Sequence, residues 1–211
     1  MDKIVIAGYG GFAREIKFLI DRINKETPLW DFCGYVVDDD IAGDVFGNDE
    51  YICNMKEKIS VVIAVGSSEL RKKIYNLYQE NPNILFPNII DPSVIMADDI
   101  KMGQGNIICA GSILTTGITL GNFDVINLHN TIGHDSVIAD YVTINPGCSI
   151  SGNVTIGYCS NIGTGTRVIQ GISIDEKVVT GAGSVIIDHI TEGSTAVGIP
   201  ARTIKKHGER I

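Results

Sequence analysis

Residues able to do chemistry gather at four places in the chain. His134 and Asp135 are neighbours in Ile132-Gly133-His134-Asp135. A neutral imidazole suits a general base near pH 7, and an adjacent carboxylate could orient it or stabilise its charged form. Consecutive strand residues point to opposite faces, so this pair can meet only if the chain turns there. A solvent-exposed histidine with no chemical task is the other reading. Gly8-Tyr9-Gly10-Gly11-Phe12-Ala13 carries the Gly-x-Gly-x-x-Ala pattern. Between a strand and a helix, such a turn lets backbone N–H groups and the helix dipole approach a phosphate. A turn that only packs helix on strand has the same composition. Asp38-Asp39-Asp40 could hold a ribose or sugar hydroxyl, or be solvated loop charge. Gly66-Ser67-Ser68 with Arg71 could complete the same pocket.

These groups need elements to position them. Lys3–Ala7 reads as a short buried strand, and Ile16, Leu19, Ile20 and Ile23 give the stripe of an amphipathic helix. Phe32–Val37 and Val61–Val65 read as two more strands. A second helix follows, with Ser67 or Ser68 as N-cap and Leu70, Ile74, Leu77 and Tyr78 on one face. Strand–helix alternation predicts a small Rossmann-like parallel sheet. Asp38 lies later than the usual acid of a dinucleotide site, and three strands make half of a dinucleotide fold. A mononucleotide or nucleotide sugar is therefore expected rather than NAD.

The second half obeys a different rule. Every sixth residue from Met96 to Ile186 is aliphatic or Met, except Thr180. A period of six excludes an α-helix and fits short strands joined by tight turns, three to a coil of a parallel β-helix. The register runs without a slip from Met96 to Ile174. Flat prism faces with little core of their own predict self-association, usually as a trimer. Pro82, Pro87 and Pro92 mark the passage between the halves. The expected domains are 1–88 for nucleotide-sugar binding and 89–211 for the β-helix with its C-terminal tail.

Composition narrows the function. Net charge is −8, which repels a nucleic-acid backbone. No apolar run approaches the length of a membrane span, and the stretch after Met1-Asp2-Lys3 is too short for a signal peptide. A cytoplasmic protein is expected. The five cysteines include no C-x-x-C pair, so reduced, mostly buried thiols are expected. The tail Val197–Lys206 concentrates positive charge that would attract the phosphates of coenzyme A, or is simply solvated.

Taken in order, these motifs resemble the sialic acid O-acetyltransferase / nucleotide-amino-sugar N-acetyltransferase family of hexapeptide-repeat proteins. The match rests on Gly8–Glu15, Gly34–Asp39, Gly66–Ile74, Ile132–Asp135, Ile150–Gly157, Gly181-Ala182-Gly183 and Val197–Ala201. The resemblance implies a left-handed β-helix, a homotrimer with active sites at subunit interfaces, and acetyl-CoA lying in the groove between two subunits. By matching positions it makes His134 the general base and Asp135 its partner. It places the backbone at Gly152 near the thioester, and Thr164, Gly181, Ala182, Ile199, Pro200 and Lys205 along the coenzyme. Gly8, Tyr9, Gly10, Gly11, Phe12, Asp38, Asp39, Gly66 and Arg71 become the substrate-binding set. One departure is Phe12, which stands where members acting on UDP-amino sugars often carry a histidine.

The spacing His129-x-x-x-x-His134 is also similar to that of β-helix carbonic anhydrases, which take a third histidine from an earlier coil. None precedes His129 here, so the ligand set is incomplete and no metal is expected. The expected activity is acetyl-CoA-dependent N-acetylation of a UDP- or dTDP-linked 4-amino-dideoxy sugar in surface-polysaccharide or glycan biosynthesis. O-acetylation of sialic acid or a polysaccharide unit, serine acetylation, and a non-catalytic sugar-nucleotide-binding trimer are the alternatives.

Overall fold

The computed structural model describes residues 1–38 and 43–206. The chain forms two compact units, Met1–Pro92 and Ser93–Ile211.

In the first unit, β1 (Asp2–Ala7) is followed by α1 (Gly11–Glu26), β2 (Trp30–Val36), β3 (Val45–Gly47), α2 (Asp49–Cys53), β4 (Ile59–Ile63), α3 (Ser68–Tyr78) and β5 (Ile84–Leu85). The strands form one parallel sheet in the order β3-β2-β1-β4-β5. The central strand is apolar on both faces, with Ile4, Val5 and Ile6 fully buried. Helix α1 buries the expected stripe of Ile16, Leu19, Ile20 and Ile23, together with Ala13. The sheet has two strands more than the three expected. The extra strands β3 and β5 are three and two residues long, too short to carry a readable period. Gly34, at φ 138°, lets β3 come close, because a Cβ there would lie 2.6 Å from the Asp44 carbonyl oxygen.

Helix α3 turns only part of its apolar stripe inward. Ser67 is its N-cap, accepting from the Leu70 N–H at 3.3 Å. Its buried residues are Ser68, Arg71 and Tyr78, whereas Leu70 and Leu77 are 43% and 47% exposed. A helical period identifies an apolar stripe but not which way the helix turns it. Here the inward face carries polar groups whose hydrogen bonds are satisfied inside the unit.

The second unit is a parallel β-helix of two-residue strands. One face stacks Ile95–Met96, Ile113–Leu114, Thr131–Ile132, Ser149–Ile150, Arg167–Val168 and Val185–Ile186. Two further faces do the same, each strand pairing in parallel with the strand 18 residues on, as Leu114 does with Ile132. The hexad residues are the inward member of every strand. From Ile108 to Ile186 all are buried. Thr180, the polar exception, accepts from the Gly163 N–H at 2.9 Å and bonds Thr166 Oγ1 at 3.1 Å.

At the corners the prism is lined by small polar residues, among them Asn106, Asp124 and Asn130, all fully buried. Their side-chain oxygens accept the N–H of Asp124, Val142 and Cys148 on the next coil, each at 2.8 Å. These bonds satisfy buried backbone donors where the strand ladder stops. The unit closes with an antiparallel pair, Ser194–Gly198 and Ala201–Lys206. No disulfide joins the five cysteines.

Ile144 is a fully buried anchor. Ile144→Ala is expected to cost about 3 kcal/mol and Ile144→Val about 1 kcal/mol in denaturant unfolding, because the first leaves a cavity that the stacked coils cannot close. Equal costs would mean that the interior is not close-packed.

Candidate active site

The His134–Asp135 pair sits where the chain leaves the strand Thr131–Ile132. Asp135 adopts φ 60°, a left-handed conformation that Asp tolerates better than most residues. That turn removes the strand alternation and brings the two side chains together, with His134 Nδ1 and Asp135 Oδ2 2.8 Å apart. The coils on either side hold the corner in place. Asp135 N–H donates to Thr116 O at 3.0 Å, and Asn153 N–H donates to His134 O at 2.7 Å.

Two glycines make room for this pair. A Cβ on Gly152 would overlap His134 Nε2 and Cε1, so the imidazole lies directly against the bare backbone of the following coil. A Cβ on Gly117, in the preceding coil, would lie 2.7 Å from Asp135 Oδ1. The Gly117 corner is itself anchored by Asp99, whose Oδ2 accepts from Thr116 Oγ1 at 2.6 Å and from Gly117 N–H at 3.0 Å. These bonds hold the Asp99 carboxyl below the usual carboxylate range, the Thr116 hydroxyl contributing most. An Nδ1–H donated to Asp135 leaves the lone pair on Nε2, which is the arrangement of a general base. The side chain of His134 is 50% exposed.

The other histidines stand apart from this corner. His129, at φ 55°, packs its ring on Gly111 at a different corner of the prism. The two members of the H-x-x-x-x-H spacing therefore do not converge. His189 bonds Ser173 O at 3.0 Å and Asp175 Oδ2 at 3.3 Å. His207 lies outside the described residues.

The expected coenzyme residues fall into two groups. Gly152 belongs to the His134 corner. Thr164, Gly181 and Ala182 form another column, in which Thr164 O accepts from Gly183 N–H at 2.8 Å. A Cβ on Gly163 would overlap the backbone of Gly181 and Ala182, so these coils touch. The Val197 side chain packs on Gly181. It leads into the turn at Ile199 and Pro200, where Ile199 is 77% exposed, and on to the strand carrying Lys205. This column follows a different face of the prism from the one that ends at His134.

The first unit carries a cleft of about 640 Å³ at the carboxyl ends of its strands. Ala7, Gly8 and Tyr9 line it from β1, Val36, Val37 and Asp38 from β2, and Asp49 from α2. Val65 follows β4, and α3 supplies Leu70, Lys73, Ile74, Asn76 and Leu77. Ligands of open α/β sheets bind at this edge. Gly8, at φ 114°, is required by packing, since a Cβ would lie 3.1 Å from Ala64 O. Gly10 caps α1, and a Cβ on it or on Gly66 would meet no atom within 4 Å. Those two positions leave open space beside the cleft. Gly11 and Phe12 open the first turn of α1. Tyr9 is braced edge-on by Tyr35, with ring centroids 5.1 Å apart.

Two of the expected residues make contacts within the unit. Arg71 is 1% exposed and does not line the cleft. Its guanidinium donates to Val65 O and Gly66 O at 3.1 Å and to Ser68 Oγ at 3.4 Å. It shapes the turn carrying Gly66. Asp38 does line the cleft, but its Oδ1 accepts from Asp49 N–H at 3.2 Å. Asp39 lies outside the described residues. Lys73, Asn76 and Asp49 were missed from the sequence. Lys73 and Asn76 sit on the helix face that its leucines assign to the core.

Comparison with known proteins accords with both units. Residues 3–78 match the PglD N-terminal domain family. GDP-perosamine N-acetyltransferase of Escherichia coli O157:H7 is 27% identical, over 95% of this chain and 96% of that protein. The acetyltransferase domain of PglB from Neisseria gonorrhoeae, solved in complex with acetyl coenzyme A, superposes with a TM-score of 0.88 and 26% identity. That match covers 96% of this chain and 98% of that one. The fold, a small parallel sheet followed in the chain by a left-handed β-helix, is shared with perosamine N-acetyltransferase from Caulobacter crescentus, at a TM-score of 0.88 and 23% identity over 98% of each chain. No described helix is long and apolar enough to cross a membrane.

Long-range imidazole NMR is expected to show His134 with its proton on Nδ1. Asp135→Ala should move it towards the Nε2–H tautomer, and an unchanged tautomer would show that Asp135 does not orient the ring.

Proposed function

We propose that this chain, similar over nearly its whole length to sugar N-acetyltransferases and carrying a match to the PglD N-terminal domain, acetylates the amino group of a nucleotide-linked 4-amino-dideoxy sugar with His134 as general base. It is an acyltransferase, and acetyl-CoA is its acyl donor. The observation that carries the mechanism is the His134–Asp135 pair, with Nε2 lying over the bare backbone of Gly152.

In this mechanism the sugar amine attacks the thioester carbonyl directly. His134 Nε2 takes the proton lost by the nitrogen, and Asp135 stabilises the resulting imidazolium. Backbone N–H groups about Gly152 donate to the tetrahedral oxyanion; as it collapses the C–S bond breaks, and the imidazolium returns its proton to the departing sulfur, so that coenzyme A leaves as the thiol and His134 is again neutral. No acyl-enzyme forms. The substrate's nucleotide occupies the cleft of the first unit, with its phosphates against the Gly8–Gly10 turn.

The active form is a homotrimer. The His134–Gly152 and Thr164–Ala182 columns follow different faces of one prism, which favours a coenzyme lying in a groove between two copies of the chain. We place the reaction in the cytoplasm, where acetyl-CoA and nucleotide sugars are made. UDP or dTDP is the carrier expected from the sequence, whereas the full-length relative is named for a GDP sugar, and the assay below therefore includes all three.

Thiol release from acetyl-CoA, assayed against UDP-, dTDP- and GDP-4-amino sugars with CMP-sialic acid and serine as controls, tests the reading. Turnover is expected with an amino sugar. Turnover only with a hydroxyl acceptor would overturn N-transfer. His134→Ala should lower kcat by about 10²–10⁴-fold while leaving acetyl-CoA affinity nearly intact. Full activity in that variant would remove the general base from the mechanism.

A further inference from the structure

We propose that Asp49, held by the buried phenol of Tyr78, reads the base of the nucleotide carrier and selects guanine. This rests on the reading that the cleft binds a nucleoside diphosphate sugar.

The cleft has a direction. At one end stand the Gly8–Tyr9 turn and the Gly10 cap of α1, where phosphate groups are favoured. Helix α3 runs along one wall, beginning at the Gly66 turn and ending at Tyr78. From Leu70 to Tyr78 it covers on the order of 12 Å, comparable to a nucleoside diphosphate from phosphates to base. Lys73 is the one cation lining the cleft among the described residues, and it sits on this wall. Asp38, at the end of β2, occupies the place where an acid takes ribose hydroxyls. The Asp49 N–H donates to the Asp38 carboxylate, and the Tyr78 hydroxyl donates to Asp49 Oδ1. Asp49 therefore lies beyond the ribose position, at the end of the cleft marked by the end of α3.

The walls at that end suit a flat ring. Leu77 is 47% exposed and Ile74 lies one turn before it. Val36 and Val37 line the cleft from β2. A base lying against these residues would bury side chains that otherwise face water.

The polar chemistry selects the base. A carboxylate offers two acceptors side by side. Guanine alone of the common bases presents two donors side by side, N1–H and the N2 amine. Uracil and thymine present one N–H between two carbonyl oxygens, and those oxygens would face the negative carboxylate. Adenine sets a ring-nitrogen lone pair beside its amine. Tyr78 reinforces the choice, because burial and the Asp49 charge push its phenol well above the ordinary range. It stays protonated and can only donate to Asp49, which leaves the carboxylate as the acceptor for the base.

Calorimetric titration of the full chain with GDP, IDP, UDP and dTDP tests this without any substitution. GDP should bind at least about tenfold more tightly than UDP or dTDP. IDP, which lacks the N2 amine, should bind about tenfold more weakly than GDP. Asp49→Asn should lower GDP affinity about 10–100-fold and remove the GDP-over-IDP preference. Tyr78→Phe should narrow that preference, an effect that loosened folding alone would not produce. Equal binding of GDP and IDP, or tighter binding of UDP or dTDP, would overturn the assignment. If a UDP- or dTDP-amino sugar is then acetylated, only the base assignment falls. If no nucleoside diphosphate binds, the cleft reading falls with it.

Discussion

Every feature of the second unit depends on coils that stack in register. Each strand is two residues long and makes too few hydrogen bonds to persist alone. It is held because the strand 18 residues away offers the same edge, and because one aliphatic side chain per strand fills the prism. A slip of one residue would expose every anchor. The register therefore forms columns, so that a residue's neighbours are those 18 positions before and after it. His134 meets Gly152 and Asp135 meets Gly117 for this reason alone.

That arithmetic explains why the second unit could be read from the sequence. The anchor period, the face count and the absence of a slip all follow from positions. The His134–Asp135 contact was legible only conditionally, since it needs a left-handed residue at 135, which nothing in the spacing requires. The glycines at 117 and 152 gain their meaning only after the columns are drawn. The first unit was less legible. Its main strands and α1 have strong apolar patterns, but β3, α2 and β5 are too short to show one. The orientation of α3 was not legible, because Leu70, Ile74 and Leu77 of its stripe line a cleft, whereas Arg71 and Tyr78 go inward with their polar ends satisfied. The far end of the cleft depends on how that helix is turned, so Asp49 and Lys73 could not have been found beforehand.

The chain carries a net charge of −8, yet both proposed ligands are anionic. Long-range attraction cannot be the source of affinity. The groups available are local, namely backbone N–H groups at the end of α1, Lys73, and the cations of the C-terminal strand. Water and salt screen the distant carboxylates over roughly 8–10 Å, while donors in contact with a phosphate act at full strength. Acidic character overall and anion binding locally are therefore compatible. The surrounding acids add selectivity, because an anion is tolerated only where a donor is already aimed at it.

The exposure of His134 completes the physical picture. In a single chain half of its side chain meets solvent. A base so placed exchanges protons with water as readily as with a substrate amine, and an oxyanion formed beside it gains little from backbone donors that compete with solvent. Apposing the Thr164–Ala182 column of a second copy would cover this corner and lower the local dielectric. It would also fix the thioester between the base and the Gly152 backbone. Assembly would then do more than stabilise flat faces. It would turn an exposed histidine–carboxylate pair, common on protein surfaces, into one able to direct a proton.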